Sequence, residues 1–350
     1  MWNGLNFIQA LPMKFILPFQ PEIPFRTGST LLSGSSAPAA GNPARIAHFI
    51  PARYEARKTS AQEAHMQRQI KGIYRGEPVT EGAGVKLHRV FGYYEAPDFD
   101  PFLLFDDFRS DRPEDFLRGF PWHPHRGIET ITYVTRGDVE HGDSLGNKGV
   151  ISGGDVQWMT AGSGIIHQEM PKGDENGAMH GFQLWANLPA AQKMMPPRYR
   201  GLTAAQIPET ELPGGVRIKV IAGRVNGVRG PMDDIVIQPE YLDCDVPALG
   251  SLTHTLPRGH TAFIYVTGGS GSAGGEALQN RTLVLFDHGD SLHVSAGPDG
   301  IRFLLVSGKP LGEPVAWRGP IVMNTQAELE VAFREYREGT FIKHPQTGMP

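Results

Sequence analysis

Between about residues 70 and 310 the chain is a succession of short apolar runs broken by turn residues. IETITYV, VQWMTAG, GFQLWANL, VRIKVIAG, HTAFIYVTG, TLVLFDHGD and IRFLLVSG are rich in β-branched and aromatic residues. Each is bounded by Gly, Asp, Asn or Pro, which marks strands and tight turns. Several alternate with period two: in GFQLWANL, Phe182, Leu184, Ala186 and Leu188 fall on one face. Many short strands of this kind predict an all-β sandwich or barrel. One helix stands out, after Thr325. Thr325 and Glu328 have capping-box spacing; Leu329, Ala332, Phe333 and Tyr336 share a face, and Gly339 ends the run. The helix is expected to pack on the outside of a sheet, and no chemistry is read in it.

The β region repeats itself. Arg126-Gly127 followed by Tyr133-Val134-Thr135 recurs as Arg258-Gly259 followed by Tyr265-Val266-Thr267, at an offset of 132. Gly154-Asp155 recurs as Gly289-Asp290, at an offset of 135. A duplicated small barrel accounts for both, with one unit over 66–195 and a second over 196–350 that ends in the helix. Residues 1–65 stand apart. Prolines at 12, 18, 21 and 24 break an apolar stretch, and a Ser/Ala/Gly/Pro run follows. They read as a disordered extension, or as the product of a start codon placed too early, with Met66 the true start, or as a targeting segment, since basic residues outnumber acidic ones there.

Composition narrows the picture. Gly 43 and Pro 29 suit turns, and 40% hydrophobic residues suffice for a core. Lys+Arg 33 against Asp+Glu 37 leaves no broad basic face for nucleic acid, so no direct contact with it is expected. No stretch is apolar enough to suggest a membrane span. The single cysteine, Cys244, excludes an internal disulfide framework and multi-cysteine metal sites. Its acidic neighbours Asp243 and Asp245 give it no low-pKa surroundings. A cytoplasmic monomer is expected, nuclear if the source is eukaryotic, with organellar targeting by residues 1–65 as the alternative.

The chemistry concentrates in FPWHPHRG and GSGIIHQEMP. His123 and His125 are two apart, so in a strand both imidazoles point the same way. His167 and Glu169 repeat the spacing. Two adjacent strands giving two inward ligands each would make a three-His, one-Glu site. That donor set suits Fe, Mn, Co, Ni, Cu or Zn and leaves coordination positions open.

HPHRGIETITYV, EHGDSLGNKGVISGGDVQWMTAGSGIIHQEMP, GFQLWANL and GEPVAWRGPIVMNT together resemble the pirin family of the cupin superfamily, over roughly residues 66–342. The resemblance implies a bicupin: two stacked cupin-type β-barrels with a short C-terminal helix, the leading barrel holding one divalent metal, usually Fe(2+). It places the ligands on His123, His125, His167 and Glu169. Glu129 has the spacing of a fourth ligand in many other cupins; beside a ligating Glu169 it reads as a hydrogen-bond partner orienting an imidazole. Phe120, Trp122 and Arg126 could line the pocket mouth, though for the aromatics ordinary barrel packing competes equally. By the two offsets the ligand positions fall on Thr255, Pro257, Arg302 and Leu304, so the second barrel is expected to be metal-free. His254, His260, His288 and His293 read as surface or hydrogen-bonded histidines.

The resemblance implies two kinds of function. One is quercetin 2,3-dioxygenase activity, with a flavonol-like molecule and O2 as partners and Glu169 as the catalytic proton acceptor. The other is a non-enzymatic, iron- and redox-sensing regulator that binds a transcription factor or a metabolic enzyme.

Overall fold

The computed structural model describes residues 66–344, and these form two barrels of antiparallel strands with one long helix. The strands used below are β1 (Ile70–Arg75), β2 (Phe102–Asp107), β3 (Phe120–His125), β4 (Ile128–Arg136), β5 (Asp138–Asp143), β6 (Val156–Thr160), β7 (Ile165–Lys172), β8 (His180–Asn187) and β9 (Arg198–Leu202). The trailing half supplies β10 (Glu240–Val246), β11 (Ser251–Thr255), β12 (Thr261–Ala273), β13 (Thr282–Phe286) and β14 (Ser291–Gly308). The helix α1 is Gln326–Glu338.

The leading barrel sets a seven-stranded sheet, running β9-β6-β4-β8-β2 and on through two more strands, against a four-stranded sheet that begins β3-β7-β5. The trailing barrel is one nine-stranded sheet ordered β1-β13-β12-β14-β10 and beyond, with β11 paired onto β14. Sheet membership crosses the 195/196 boundary. The opening strand β1 takes the edge of β13, far along the chain, and β9 pairs with β6. No helix among the described residues is long and apolar enough to cross a membrane.

Strand alternation separates two layers. On β4, Ile131 and Tyr133 face the other barrel, where they join Phe263, Tyr265, Leu304 and Val306 in one large buried cluster. Residues of the other parity point inward, and here the barrels differ. The trailing interior is aliphatic, with Leu252, Ile264, Val266, Val294 and Leu305 among its members. The leading interior has Thr132 where the trailing one has Ile264, and Thr132 reaches Glu169 across the barrel. The duplicated frame thus keeps its packing face and changes its contents.

The seam between the barrels is quasi-symmetric. The Tyr133 hydroxyl donates to Asp243 at 2.6 Å, and the Tyr265 hydroxyl donates to Asp107 at 2.7 Å. Each buried carboxylate is also gripped by an arginine, Arg302 on Asp243 and Arg109 on Asp107. Charge-assisted bonds are the stronger ones, and both lone-pair sets are occupied.

Strand pairing also corrects the repeat. Tyr133 lies opposite Val156 and Tyr265 opposite Leu283, so β6 corresponds to β13. The same shift carries His167 onto Val294 and Glu169 onto Ala296, not onto Arg302 and Leu304. Gly154-Asp155 and Gly289-Asp290 are therefore not equivalent, and their recurrence is a coincidence of turn chemistry. On the partner strand, His123 pairs with His167 as Leu252 pairs with Val294. His123 and His125 thus correspond to Leu252 and His254, not Thr255 and Pro257. His254 bonds Glu240 at 2.8 Å.

Replacing Tyr133 or Tyr265 by Phe should each lower unfolding stability by about 2 kcal/mol, the scale of a lost hydrogen bond to a charged group. Urea midpoints at unchanged slope would show it, with Tyr94→Phe, at a 79% exposed position, as the silent control.

Candidate metal centre

The site is built by β3 and β7. In antiparallel register His123 lies opposite His167 and His125 opposite Ile165. Period-two geometry turns His123 and His125 to the same side, and the pairing brings His167 to them. Among the described residues, the donor atoms of His123, His125 and His167 all lie within 4.8 Å of one another.

Two of the three rings, His123 and His125, are oriented from behind. A carbonyl can only accept, so His123 Nδ1 donates to Pro121 O at 2.8 Å and His125 Nδ1 donates to Pro320 O at 3.0 Å. Both rings are then Nδ1–H tautomers with bare Nε2 atoms facing inward, the form in which imidazole ligates a metal. His123 Nε2 and His167 Nε2 stand 2.9 Å apart. Two nitrogens about 2.1 Å from one ion, at right angles, would be about 3.0 Å apart. The donor set therefore fits a divalent transition metal in both chemistry and span.

Burial keeps the rings neutral. Desolvation pulls His125 and His167 well below the usual histidine value, with neighbouring imidazoles pulling further. It holds His123 down to about 4, against an opposing carbonyl hydrogen bond. Neutral imidazole is the ligating form, so burial prepares the site for a cation.

Glu169 stands apart from this donor set. The pairing register shifts between His167 and Glu169, and the carboxylate Oε1 is turned to the Thr132 hydroxyl at 2.9 Å. Thr132 also lies 2.6 Å from Gln183 Oε1. A hydroxyl has one hydrogen, so when it serves Glu169 the Gln183 amide must be flipped to donate its NH2 to Thr132. Burial raises the Glu169 carboxyl above its ordinary value, despite the opposing influence of His141 and Thr132.

Three expected site residues sit elsewhere. Glu129 orients no imidazole: it accepts from Thr160 Oγ1 at 2.6 Å and Trp158 Nε1 at 3.1 Å. Its parity with His125 is lost because the strand breaks at Gly127, whose φ is +79°. Arg126 is buried and bonded to α1 and Phe341 rather than open at a pocket mouth. Phe120 packs on an apolar cluster with Leu87, Phe116 and Val139. Trp122 lies against Gly142 beside the site. Two clefts, of about 270 and 190 Å3, are lined by none of His123, His125 and His167.

His141 went unnoticed in the sequence. It is buried on β5 opposite Glu169, its Nε2 lies 3.2 Å from Asp143 Oδ2, and its ring centroid is 5.5 Å from that of His167. The signal was present in EHGD, where His141 and Asp143 show the same period-two spacing as the ligand pairs.

Residues 84–186 match the model of Pirin and residues 241–342 that of the Pirin C-terminal cupin domain. The chain belongs to the pirin family. Human pirin is 40% identical over 266 residues, spanning 74% of this chain and 88% of that protein. A Pseudomonas aeruginosa protein is 44% identical over 281 residues, spanning 78% of this chain and 97% of its own; its name assigns it provisionally as a quercetin 2,3-dioxygenase. The crystal structure of quercetin 2,3-dioxygenase from Acinetobacter baumannii superposes with a TM-score of 0.71 at 32% identity, covering 79% of this chain and 98% of that one.

The depressed imidazoles give this pirin a pH signature. Unfolded, His123 protonates near 6.5; folded and metal-free, it does so at about 4. Between those values the unfolded chain binds more protons, so stability falls as pH falls, by up to about 1.4 kcal/mol per pH unit for each such ring. Urea unfolding of chelator-treated protein from pH 7.5 down to 4.5 should show the decline, and His123→Asn should make it shallower, His125 and His167 supplying the rest. An unaltered slope in that variant would refute the account.

Proposed function

We propose that this protein is a metal-dependent flavonol dioxygenase of the quercetin 2,3-dioxygenase type. The observation that carries the reading is a buried carboxyl, Glu169, raised by desolvation and placed on the strand that also gives His167 to the cluster of three neutral imidazoles. Such a group is a proton acceptor whose hold on the proton is strengthened by burial, beside a place for a cation. The similarity to the Acinetobacter baumannii quercetin 2,3-dioxygenase, and to the Pseudomonas aeruginosa protein, supports the substrate class.

His123, His125 and His167 would hold a divalent ion, Fe(2+) being the expected occupant and Mn, Co, Ni, Cu or Zn chemically admissible. When bound, the ion supplies positive charge that lowers the pKa of an adjacent hydroxyl. Glu169 takes the proton of the flavonol 3-hydroxyl, and Thr132 holds the carboxylate in place to receive it. Both atoms of O2 enter the substrate, one ring carbon leaves as carbon monoxide, and the proton returns to the opened product. The buried surroundings exclude bulk water from the electron-rich anion.

Protein loaded with each metal in turn should consume quercetin only under air. Absence of O2-dependent loss of the flavonol absorbance with iron, manganese, cobalt, nickel and copper alike would reject the enzyme reading and favour a regulator. Glu169→Gln should lower kcat by about a hundredfold or more, the scale of a lost general base, while one metal ion per chain is retained. Loss of the metal in that variant would instead make Glu169 a ligand.

A further inference from the structure

We propose that the C-terminal segment 314–342 positions the metal ligands, with Arg126 fastening it to them. The inference rests on the metal reading of the three-histidine cluster and goes beyond it, since no residue of this segment belongs to the donor set.

The segment begins with a tight hairpin, Ala316–Arg318 and Ile321–Met323, followed by α1. Its turn is Gly319-Pro320, with Gly319 at φ +55°. The turn presents the Pro320 carbonyl to His125 Nδ1, the bond that selects the ligating tautomer of that ring. The next residues run directly along the stretch after His125. Ile321 bridges Arg126, and Val322 N donates to Arg126 O at 3.1 Å. A Cβ at Gly127 would lie 1.9 Å from Val322 O, so glycine there is a condition of this approach.

Arg126 closes the arrangement. It is 1% exposed, its Nη1 donates to Glu335 Oε2 at 2.8 Å and its Nη2 to Phe341 O at 2.9 Å. Its guanidinium carbon also stands 4.2 Å over the Phe341 ring. A buried guanidinium is tolerated only when paired in this way, and a lysine cannot reproduce the two-pronged contact. The segment reaches the other ligand strand as well. A Cβ at Gly164 would be 2.9 Å from Phe341 O, and Ile166, next to His167, packs on the cluster of Ile321, Leu329, Ala332 and Phe341. One strap therefore braces both strands that carry ligands. Because coupling is reciprocal, a metal that needs the strap docked must also hold it docked.

Two measurements test this with Ni(II) as the probe. In the unaltered protein, Ni(II) should slow amide hydrogen exchange in 321–323 and in α1. By calorimetry, Arg126→Lys and Glu335→Ala should weaken Ni(II) binding by about tenfold to a hundredfold, the range for partners that orient a ligand. Their Co(II) forms should show an altered visible spectrum. Glu328→Ala, which breaks the α1 cap without touching Arg126, should bind Ni(II) within about twofold of the parent. Equal weakening by Glu328→Ala would assign the effect to helix stability and overturn the role of Arg126. Exchange indifferent to Ni(II), with all variants binding alike, would overturn the strap alone. Failure of the unaltered chain to take up Ni(II) or Co(II) would overturn the metal reading and the strap together.

Discussion

Three imidazoles, His125 and His167 buried and His123 partly so, gathered with their donor nitrogens within 4.8 Å of one another, form the constraint around which the leading barrel is organised. Such a cluster cannot take up protons without large desolvation and repulsion costs, so it stays neutral and electron-rich. Everything nearby serves that state. Carbonyls of Pro121 and Pro320 occupy the outer nitrogens of two rings. Thr132 engages Glu169, so that the nearby carboxyl is held rather than left to roam.

The duplicated architecture lets this polar interior exist at all. A barrel that sets Thr132, Gln157 and His167 among its apolar interior residues gives up part of the burial that would otherwise stabilise it. The trailing barrel retains that burial, and the shared aromatic layer between them ties the two together. The reciprocal tyrosine–aspartate bonds fix the relative placement of the halves. One copy thus supplies rigidity and the other chemistry, a division seen residue by residue where Ile264 answers to Thr132.

Much of this was legible along the chain. The three histidines could be found because strand periodicity is local: residues two apart share a face whatever the rest of the fold does. The helix cap at Thr325 and Glu328 and the left-handed Gly339 are local too, and both are present. What escaped depends on pairing between distant segments. The register shift that turns Glu169 to Thr132 belongs to two strands, not to one. Parity arguments for Glu129 failed at a single glycine. The offset between repeats changed where loops differ in length, which misplaced the counterparts of all four proposed ligands. His141 was overlooked because its partner is an aspartate, outside the HxH and HxE patterns sought.

The exchange of chain ends has a consequence of its own. The first described strand completes the sheet of the barrel made last, and the closing helix buttresses the barrel made first. During synthesis, β1 therefore emerges well before β13, the strand it pairs with. The stacked pair is thereby also laced, so removing β1 or the closing helix injures the far lobe.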